Sequence, residues 1–403
     1  MNNAFIRVPY VSTVYDDMEI NAVVECLKSS TQMGTNTKAF EEKISKIYGH
    51  KYGLATNSGS SSLFLAMESL NIPEGSEVIT PVLTFSTTVG CIIKNNLIPV
   101  FIDSESSSKF IINVNLIEEM ITDKTKAMVI PNLMGNMPDW SRIRNIADRH
   151  NLLILEDSAD LIGVNYDQKL SGEYADITIS SFYGAHMITC AGNGGILTTS
   201  NKKYYEKAKL LRSWGRSSSL FSESESIENR FNVYLDNIRY DAKFIFEEIG
   251  YMLEPSELGC AYGLEQLKKL DVFNKNRTKV TQKHHNFFLK YSNFFELPEM
   301  DKKANSIWFA YPLIVKEYSP FTRTDMQIFL EKRNIQTRVI FTGNILRQPG
   351  FKNIKKRVAK GGYPIADRVM TRGILLANHH GLTDEMISHL HESVDLFIQQ
   401  YSR

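Results

Sequence analysis

Residues 52–103 read YGLATNSGSSSLFLAMESLNIPEGSEVITPVLTFSTTVGCIIKNNLIPVFID, and this stretch decides the fold class. Apolar runs at 52–56, 78–80 and 98–103 alternate with segments of helical composition, such as LFLAMESL after the polar NSGSSS. Short apolar runs that alternate with helices are typical of an α/β protein with a mostly parallel sheet, buried on both faces.

The same alternation extends in both directions. Upstream, 16–29 and KAFEEKISKIYG, which ends at Gly49, have the apolar spacing of helices. Downstream, a helix is expected after Pro138, and four more apolar runs predict strands: AMVIP (127–131), LLILED (152–157), DITISS (176–181) and GILTT (195–199). Since ligands of such sheets bind at the carboxyl ends of strands, the important loops should follow Thr56, Thr80, Asp157 and Ser181.

The C-terminal part changes character. A helix-rich linker covers 256–292, and from about Ile307 a new unit begins: strand WFAYPLIV, helix TDMQIFLEKRN, strand IQTRVIF and a tail helix over 383–400. We therefore predict a large domain, 1–270, that includes the N-terminal helical segment, and a smaller α+β domain, 271–403. The polar run 216–230, RSSSLFSESESIENR, predicts a mobile surface loop or a loop near a substrate.

Composition excludes several classes of protein. The chain has 403 residues, 46 Lys+Arg against 45 Asp+Glu, 43% hydrophobic residues and a net charge of +1. These values are typical of a globular protein, and they offer no basic excess for nucleic acid. There is no apolar run near the roughly 20 residues of a membrane helix, and the first residues lack a signal-peptide layout, so we expect a cytoplasmic protein without membrane or nucleic-acid partners.

Metal chemistry is not indicated by the cysteines or histidines. Cys26, Cys91, Cys190 and Cys260 form no C-x-x-C pair, and adjacent histidines such as those at 379–380 point apart on a helix or strand. We expect no metal site.

Three loops could carry chemistry. In N57-S58-G59-S60-S61-S62, glycine permits a tight turn and free N–H groups at a helix start attract phosphate, although a serine-rich N-cap explains the pattern equally. Asp157 ends an apolar strand, and its carboxylate could hold a protonated ring nitrogen or cap a helix. His186, after another strand, could exchange protons or be an ordinary polar residue. Together at one sheet edge they suit a pyridoxal phosphate type of cofactor.

The chain resembles the sugar aminotransferases of fold-type I, the aspartate aminotransferase-like pyridoxal phosphate enzymes, and within them a 3-dehydratase branch. The likeness includes TVYDDMEINAVVECL, NSGSSSLFLAM, TPVLTFSTT, NLMGN, LEDSADLIG, SSFYGAHMIT, GYMLEPSELGCAYGLEQLKKL and TRVIFTGNILRQPGF. The resemblance implies cofactor-binding roles for a set of residues near the three loops: Ser58, Gly59 and Ser60 with Ser181 on the phosphate, Phe85 on the ring, Asp157 on the ring nitrogen and Asp160 close by.

His186 decides the branch. In the aminotransferases this position is the lysine that binds the cofactor covalently, and an imidazole does not form that stable bond. The resemblance therefore implies non-covalent pyridoxal or pyridoxamine 5′-phosphate and loss of the C3 hydroxyl from a nucleotide-linked 4-keto-6-deoxy sugar, in deoxysugar biosynthesis of the O-antigen type. His186 would move the protons, and glutamate would restore the pyridoxamine form.

The resemblance also implies a homodimer with active sites at its interface. A branch with an iron–sulfur cluster is rejected, because 216–230 contains no cysteine. Candidate substrate contacts are Arg216, Arg338 and Arg347, whose guanidinium groups fit a diphosphate, and, on resemblance alone, Asn344 and His379.

Two alternatives stay open. One is a nucleotide-sugar aminotransferase that uses another lysine, of which Lys202 and Lys203 are the nearest in sequence. The other is a non-catalytic relative that senses a cofactor or nucleotide sugar, which the departures Met252 and Glu254 from the family's pattern would favour.

Overall fold

The computed structural model describes residues 5–184, 186–221 and 226–401. Its α-helices are α1 Asp17–Ser29, α2 Thr35–Ile47, α3 Gly59–Ser69, α4 Ser86–Lys94, α5 Trp140–His150, α6 Lys202–Arg212, α7 Ile227–Phe231, α8 Glu257–Lys268, α9 Leu270–Leu289, α10 Arg323–Lys332, α11 Pro364–Arg372 and α12 Asp384–Gln399. Its strands are β1 Tyr52–Thr56, β2 Glu77–Pro81, β3 Ile98–Ile102, β4 Thr125–Pro131, β5 Leu153–Asp157, β6 Asn165–Tyr166, β7 Lys169–Leu170, β8 Ile177–Ser181, β9 Gly195–Thr199, β10 Val233–Leu235, β11 Ile238–Tyr240, β12 Phe295–Glu296, β13 Tyr311–Val315 and β14 Gly373–Leu376.

The central sheet has seven strands in the order β1-β9-β8-β5-β4-β2-β3. The paired strands from β8 to β3 run parallel, whereas β9 is antiparallel to both of its neighbours, β1 and β8. The predicted mostly parallel α/β sheet is confirmed, and its apolar runs lie where the sequence placed them.

Both faces of this sheet are buried, as its strand sequences require. Along β4 and β5, Met128 and Ile154 pack into one apolar cluster with Trp140 of α5, while Val129 and Leu155 pack into a second cluster on the opposite face. Because successive side chains of a strand point to opposite faces, a continuous apolar run serves two core layers at once.

The C-terminal unit contains the three-stranded antiparallel sheet β12-β13-β14, with α10 and α12 packed nearby. The predicted strand IQTRVIF is wrong: Ile335 and Arg338 make only isolated bridges, to Val8 and Leu375. The chain then turns at Phe341, whose φ of 43° ends any extended run. The domain boundary at 270/271 remains a prediction.

The polar run at 216–230 is structured at both of its ends, where the sequence predicts only a loop. A 3₁₀ turn covers Ser217–Leu220 and α7 starts at Ile227. Residues 222–225 lie outside the described residues, so the loop prediction for them is not assessed. No helix in the described ranges is long and apolar enough to cross a membrane.

Glu257 connects α8 to the start of α2. Its buried carboxylate accepts hydrogen bonds from the backbone of Gly34, Asn36 and Thr37 and from the Thr37 hydroxyl, at 2.6–3.1 Å. These are the N–H groups that a helix start leaves without intrahelical partners. Burial opposes ionisation, yet the hydrogen bonds from Thr37 and the backbone lower the pKa of Glu257 below its ordinary value.

We expect Glu257→Gln to destabilise the protein by about 2 kcal/mol, because an amide cannot accept all four hydrogen bonds. Chemical denaturation at neutral pH measures this, with Glu25→Gln as the control, since Glu25 is 71% exposed in a surface ion pair. A lowered folded-state pKa means that the stabilisation is complete above the ordinary carboxyl pKa and is lost as pH falls through the folded value. The difference between wild type and variant should therefore shrink in acid, and equal midpoints at neutral pH would contradict the assignment.

Candidate active site

A cavity of about 670 Å³ opens at the carboxyl edge of the parallel strands. Its described lining comes from the segments that follow β1, β2, β4, β5 and β8, from the C-terminal unit and from the N-terminal segment. The lining includes Tyr10, Gly59, Ser60, Phe85, Thr88, Asp157, Asp160, Ser181, His186, Phe309, Arg338 and Phe341. The strand-edge location that the sequence predicted is thus the location of the cavity.

The start of α3 offers backbone N–H groups to this cavity. Ser58 caps the helix, its hydroxyl accepting from the Ser61 N–H at 3.1 Å, while Gly59 and Ser60 line the cavity itself. A methyl group on Gly59 would lie 2.6 Å from the Cβ of Ser181. The helix start and the Ser181 hydroxyl therefore approach each other only because residue 59 is glycine, and the donors of both are of the kind that suits an anion.

Asp157 is buried at the end of β5. One carboxylate oxygen accepts from the Thr88 hydroxyl at 2.7 Å and the other from the Ala159 N–H at 3.3 Å. Burial raises the pKa of Asp157 above its ordinary value, against the pull of those hydrogen bonds. No lysine or arginine pairs with it among the described residues, so a cationic group entering the cavity would find a carboxylate held in place.

His186 and Asp160 face each other across the cavity floor. Nδ1 of His186 lies 3.9 Å from a carboxylate oxygen of Asp160 and has no hydrogen-bond partner in the described chain. The second oxygen of Asp160 accepts from the Met134 N–H at 2.9 Å. Burial lowers the pKa of His186 to about 4 and raises that of Asp160 to about 7, so the imidazole is neutral at neutral pH.

Two aromatic side chains complete the walls. The Phe309 ring lies 5.5 Å from the His186 ring, which excludes water from one side of the imidazole. Phe85 is 51% exposed and lines the cavity, in edge contact with Phe341. An exposed flat ring at a cavity wall is suited to stack on a planar ligand.

The structure brings most of the predicted cofactor residues together: Gly59, Ser60, Phe85, Asp157, Asp160, Ser181 and His186 all line the cavity, and Ser58 caps the adjacent helix. Their individual roles remain predictions. The residues fit a phosphorylated pyridine cofactor, because an anion site, a flat aromatic wall and a buried carboxylate without a cation occur in one cavity.

The structure places one of the five predicted substrate contacts in the described cavity lining and the other four outside it. Arg338 lines the cavity, but Arg216, Asn344, Arg347 and His379 are absent from its described lining. Arg347 pairs with Asp367 at 2.6 Å, and the Asn344 amide donates to the same carboxylate. The Arg216 guanidinium stacks 4.4 Å from the Trp214 ring, and Nε2 of His379 lies 3.0 Å from the carbonyl oxygen of Pro9.

Lys202 and Lys203 begin α6, and Lys202 is 71% exposed in an ion pair with Glu206. No lysine occurs among the described residues that line the cavity. The departures from the family's pattern lie outside that lining too: Met252 is exposed, and Glu254 accepts from the Ser213 hydroxyl at 2.6 Å.

Three residues of the cavity lining were not predicted from the sequence: Thr88, Phe309 and Tyr10. Thr88 follows β2 within the quoted TFSTT, so its position after a strand could have identified it. Phe309 and Tyr10 come from distant segments that carry no strand-end signal.

The seven-stranded sheet has one antiparallel strand. At its edge lie a helix N-terminus suited to phosphate and a buried carboxylate. These features are typical of the aspartate aminotransferase-like fold of pyridoxal phosphate enzymes. The chain belongs to the DegT/DnrJ/EryC1/StrS aminotransferase family, whose sequence profile matches residues 14–395.

Two curated relatives are similar over nearly the whole chain. The lipopolysaccharide biosynthesis protein RfbH of Salmonella typhimurium is 35% identical, over 95% of this chain and 90% of its own. The GDP-4-keto-6-deoxy-D-mannose 3-dehydratase of Yersinia pseudotuberculosis is 29% identical, over 97% and 98%.

A solved structure, the E. coli GDP-4-keto-6-deoxy-D-mannose 3-dehydratase with bound hydrated pyridoxal phosphate, has a TM-score of 0.87 and 27% identity, over 96% of this chain and 99% of that one. The predicted family, fold class and cofactor class are confirmed by these comparisons. The family consists of pyridoxal phosphate-dependent enzymes that modify sugars.

We expect Gly59→Ala to weaken pyridoxamine phosphate binding at least tenfold, since the new methyl group would force Ser181 and the start of α3 apart. Titration calorimetry measures the affinity. Gly90→Ala is the matched control, because a methyl group there meets nothing nearer than a Phe64 atom at 3.9 Å. Unchanged affinity in the Gly59 variant would exclude this surface as the phosphate site.

Proposed function

We propose that the chain is a 3-dehydratase of a nucleotide-linked 4-keto-6-deoxyhexose, dependent on pyridoxal and pyridoxamine phosphate and active in deoxysugar biosynthesis of the O-antigen type. One observation carries the proposal: the cavity presents the imidazole of His186, and its described lining includes no lysine. Without an amine side chain, the cofactor is held non-covalently. The names of the Yersinia and E. coli relatives support the same reaction class.

The residues that would hold the cofactor follow from the cavity's geometry. Gly59, Ser60 and Ser181 would bind its phosphate, and Phe85 would cover its ring. Asp157, fixed by Thr88, would pair with the ring nitrogen and keep it protonated. When bound, the cofactor supplies an amine that can combine with a ketone and a ring that withdraws electrons.

His186 would move protons between carbon and oxygen. Its low pKa leaves Nδ1 able to accept a proton at neutral pH, and the same imidazole would then protonate the departing C3 hydroxyl. Asp160, 3.9 Å away, would stabilise the imidazolium once it forms. Glutamate would restore the pyridoxamine form. Arg338, in the cavity lining, would contact the substrate's diphosphate.

Incubation of the purified protein with pyridoxamine phosphate, glutamate and a GDP- or CDP-4-keto-6-deoxy sugar should yield a 3-deoxy sugar, identified by mass spectrometry and NMR. We expect His186→Asn to lower the rate at least 1,000-fold, because an amide cannot accept and return the proton.

The matched control is His150→Asn. His150 is a surface residue whose Nε2 lies 3.1 Å from a carboxylate oxygen of Glu118, so the variant should keep full activity. A product that is a 4-amino sugar with the C3 hydroxyl retained would identify an aminotransferase and contradict the proposal. Equal rates for wild type and His186→Asn would also contradict it.

We further propose that the enzyme is a homodimer with its active sites at the interface. An apolar surface, here called the 234–252 face, supports this. Its exposed members are Tyr234, Leu235, Ile238, Tyr240, Phe244, Phe246, Ile249, Tyr251 and Met252. Many large apolar side chains exposed within one short segment are typical of a surface that a second subunit covers.

Ile249 is 95% exposed, which makes it the sharpest probe of that face. We expect Ile249→Asp to raise the dimer dissociation constant at least tenfold, since a charge would have to be buried in an apolar interface. Analytical ultracentrifugation measures it. Tyr318→Asp, at an equally exposed position outside the face, is the control. A monomeric wild type, or no difference between the two variants, would contradict the proposal.

A further inference from the structure

The N-terminal segment 8–14 runs into the active site. Val8 is buried, and it donates to the carbonyl oxygen of Asn334 at 3.0 Å and accepts from the Gln336 N–H at 2.9 Å. The Tyr10 N–H donates to the side-chain oxygen of Gln336 at 3.1 Å. The segment is therefore fixed beside residues 335–338, which end at the cavity-lining Arg338.

Its other contacts lie near the catalytic loop. The Thr13 hydroxyl donates to the carbonyl oxygen of Gly184 at 2.8 Å, two residues before His186. The carbonyl oxygen of Val14 accepts from the Gln266 amide at 2.8 Å. Since the segment is anchored on both sides of Tyr10, the position of that side chain is determined by backbone contacts.

Tyr10 lines the cavity next to Arg338. The Arg338 guanidinium carbon lies 5.4 Å from the ring centroid, within range of a cation–π contact. Asp160 is close enough to act on the phenol: burial, and next to it the charge of Asp160, raise the pKa of Tyr10 well above its ordinary value. The hydroxyl therefore stays protonated and can donate a hydrogen bond.

The hydrogen bond that Tyr10 makes within the described residues is that of its backbone N–H, so its half-buried hydroxyl is available to a ligand in the cavity that Tyr10 lines. Tyr10, Asp160 and His186 line the same cavity, and the reacting carbon atoms would be placed at the end that contains His186. In a nucleotide sugar, that end is occupied by the hexose, and the hexose carries several acceptor oxygens.

We infer that Tyr10 is a substrate-binding residue whose hydroxyl donates a hydrogen bond to an oxygen of the hexose, beside Arg338. The inference rests on the proposed function for the identity of the substrate. The Tyr10 ring also makes the cation–π contact with the Arg338 guanidinium. A phenylalanine at position 10 would keep that contact and remove only the hydroxyl donor.

The test compares two ligands on one variant. Holoenzyme loaded with pyridoxal phosphate, without an amino donor so that the sugar is not consumed, is titrated calorimetrically with GDP-4-keto-6-deoxymannose and with GDP. The corresponding CDP pair is measured in parallel, and the pair that binds wild type more tightly is used. We expect Tyr10→Phe to weaken binding of the sugar nucleotide about tenfold and to change binding of the nucleoside diphosphate less than twofold.

Tyr15→Phe is the matched control, because Tyr15 is 55% exposed and lies outside the cavity lining; it should bind both ligands as wild type does. Equal melting temperatures establish that the fold is intact. Unchanged sugar-nucleotide affinity in Tyr10→Phe would overturn the inference, and an equal loss for both ligands would move the contact to the nucleotide and overturn it too. If wild type binds neither pair, the proposed function fails first and the inference fails with it.

Discussion

Nδ1 of His186 lies 3.9 Å from the carboxylate of Asp160, too far for a hydrogen bond, in a cavity that buries both groups. Burial lowers the pKa of the imidazole to about 4 and raises that of the carboxyl to about 7. At neutral pH the imidazole is therefore neutral, beside a carboxyl group at the floor of the cavity. The dehydratase activity that we propose depends on this pair for proton transfer.

The sheet makes the pair possible. Parallel strands end at one edge, so the loops after β5 and β8 bring Asp160 and His186 together although they are 26 residues apart in the sequence. The same edge receives Gly59 from the start of α3, which follows β1, and Thr88 from the helix after β2. The residues to which we assign the cofactor and the proton transfer are thus brought together by topology rather than by local sequence.

The sequence predicts the features of this fold and site that leave a local pattern, and it does not predict those that depend on distant contacts. Apolar runs such as LLILED identify strands because both faces of a parallel sheet are buried, and strand ends then locate Asp157, Ser181 and His186. The alternation in IQTRVIF predicts a strand that the chain does not form, since Ile335 pairs only with Val8 and the backbone turns at Phe341. Tyr10 and Phe309 reach the cavity through long-range packing, which the periodicity of the sequence does not reveal. His379 was expected in the sugar pocket on resemblance alone, but its ring contacts the backbone of Pro9.

We propose that the cofactor is retained without a covalent bond to the chain. Borohydride reduction of the pyridoxal phosphate-loaded enzyme, followed by peptide mapping, tests it most directly. We expect the cofactor to separate completely from the denatured, reduced protein, and no lysine peptide to carry a pyridoxyl group. A pyridoxyl-lysine in stoichiometric yield, at any position, would show a covalent bond and contradict the proposal.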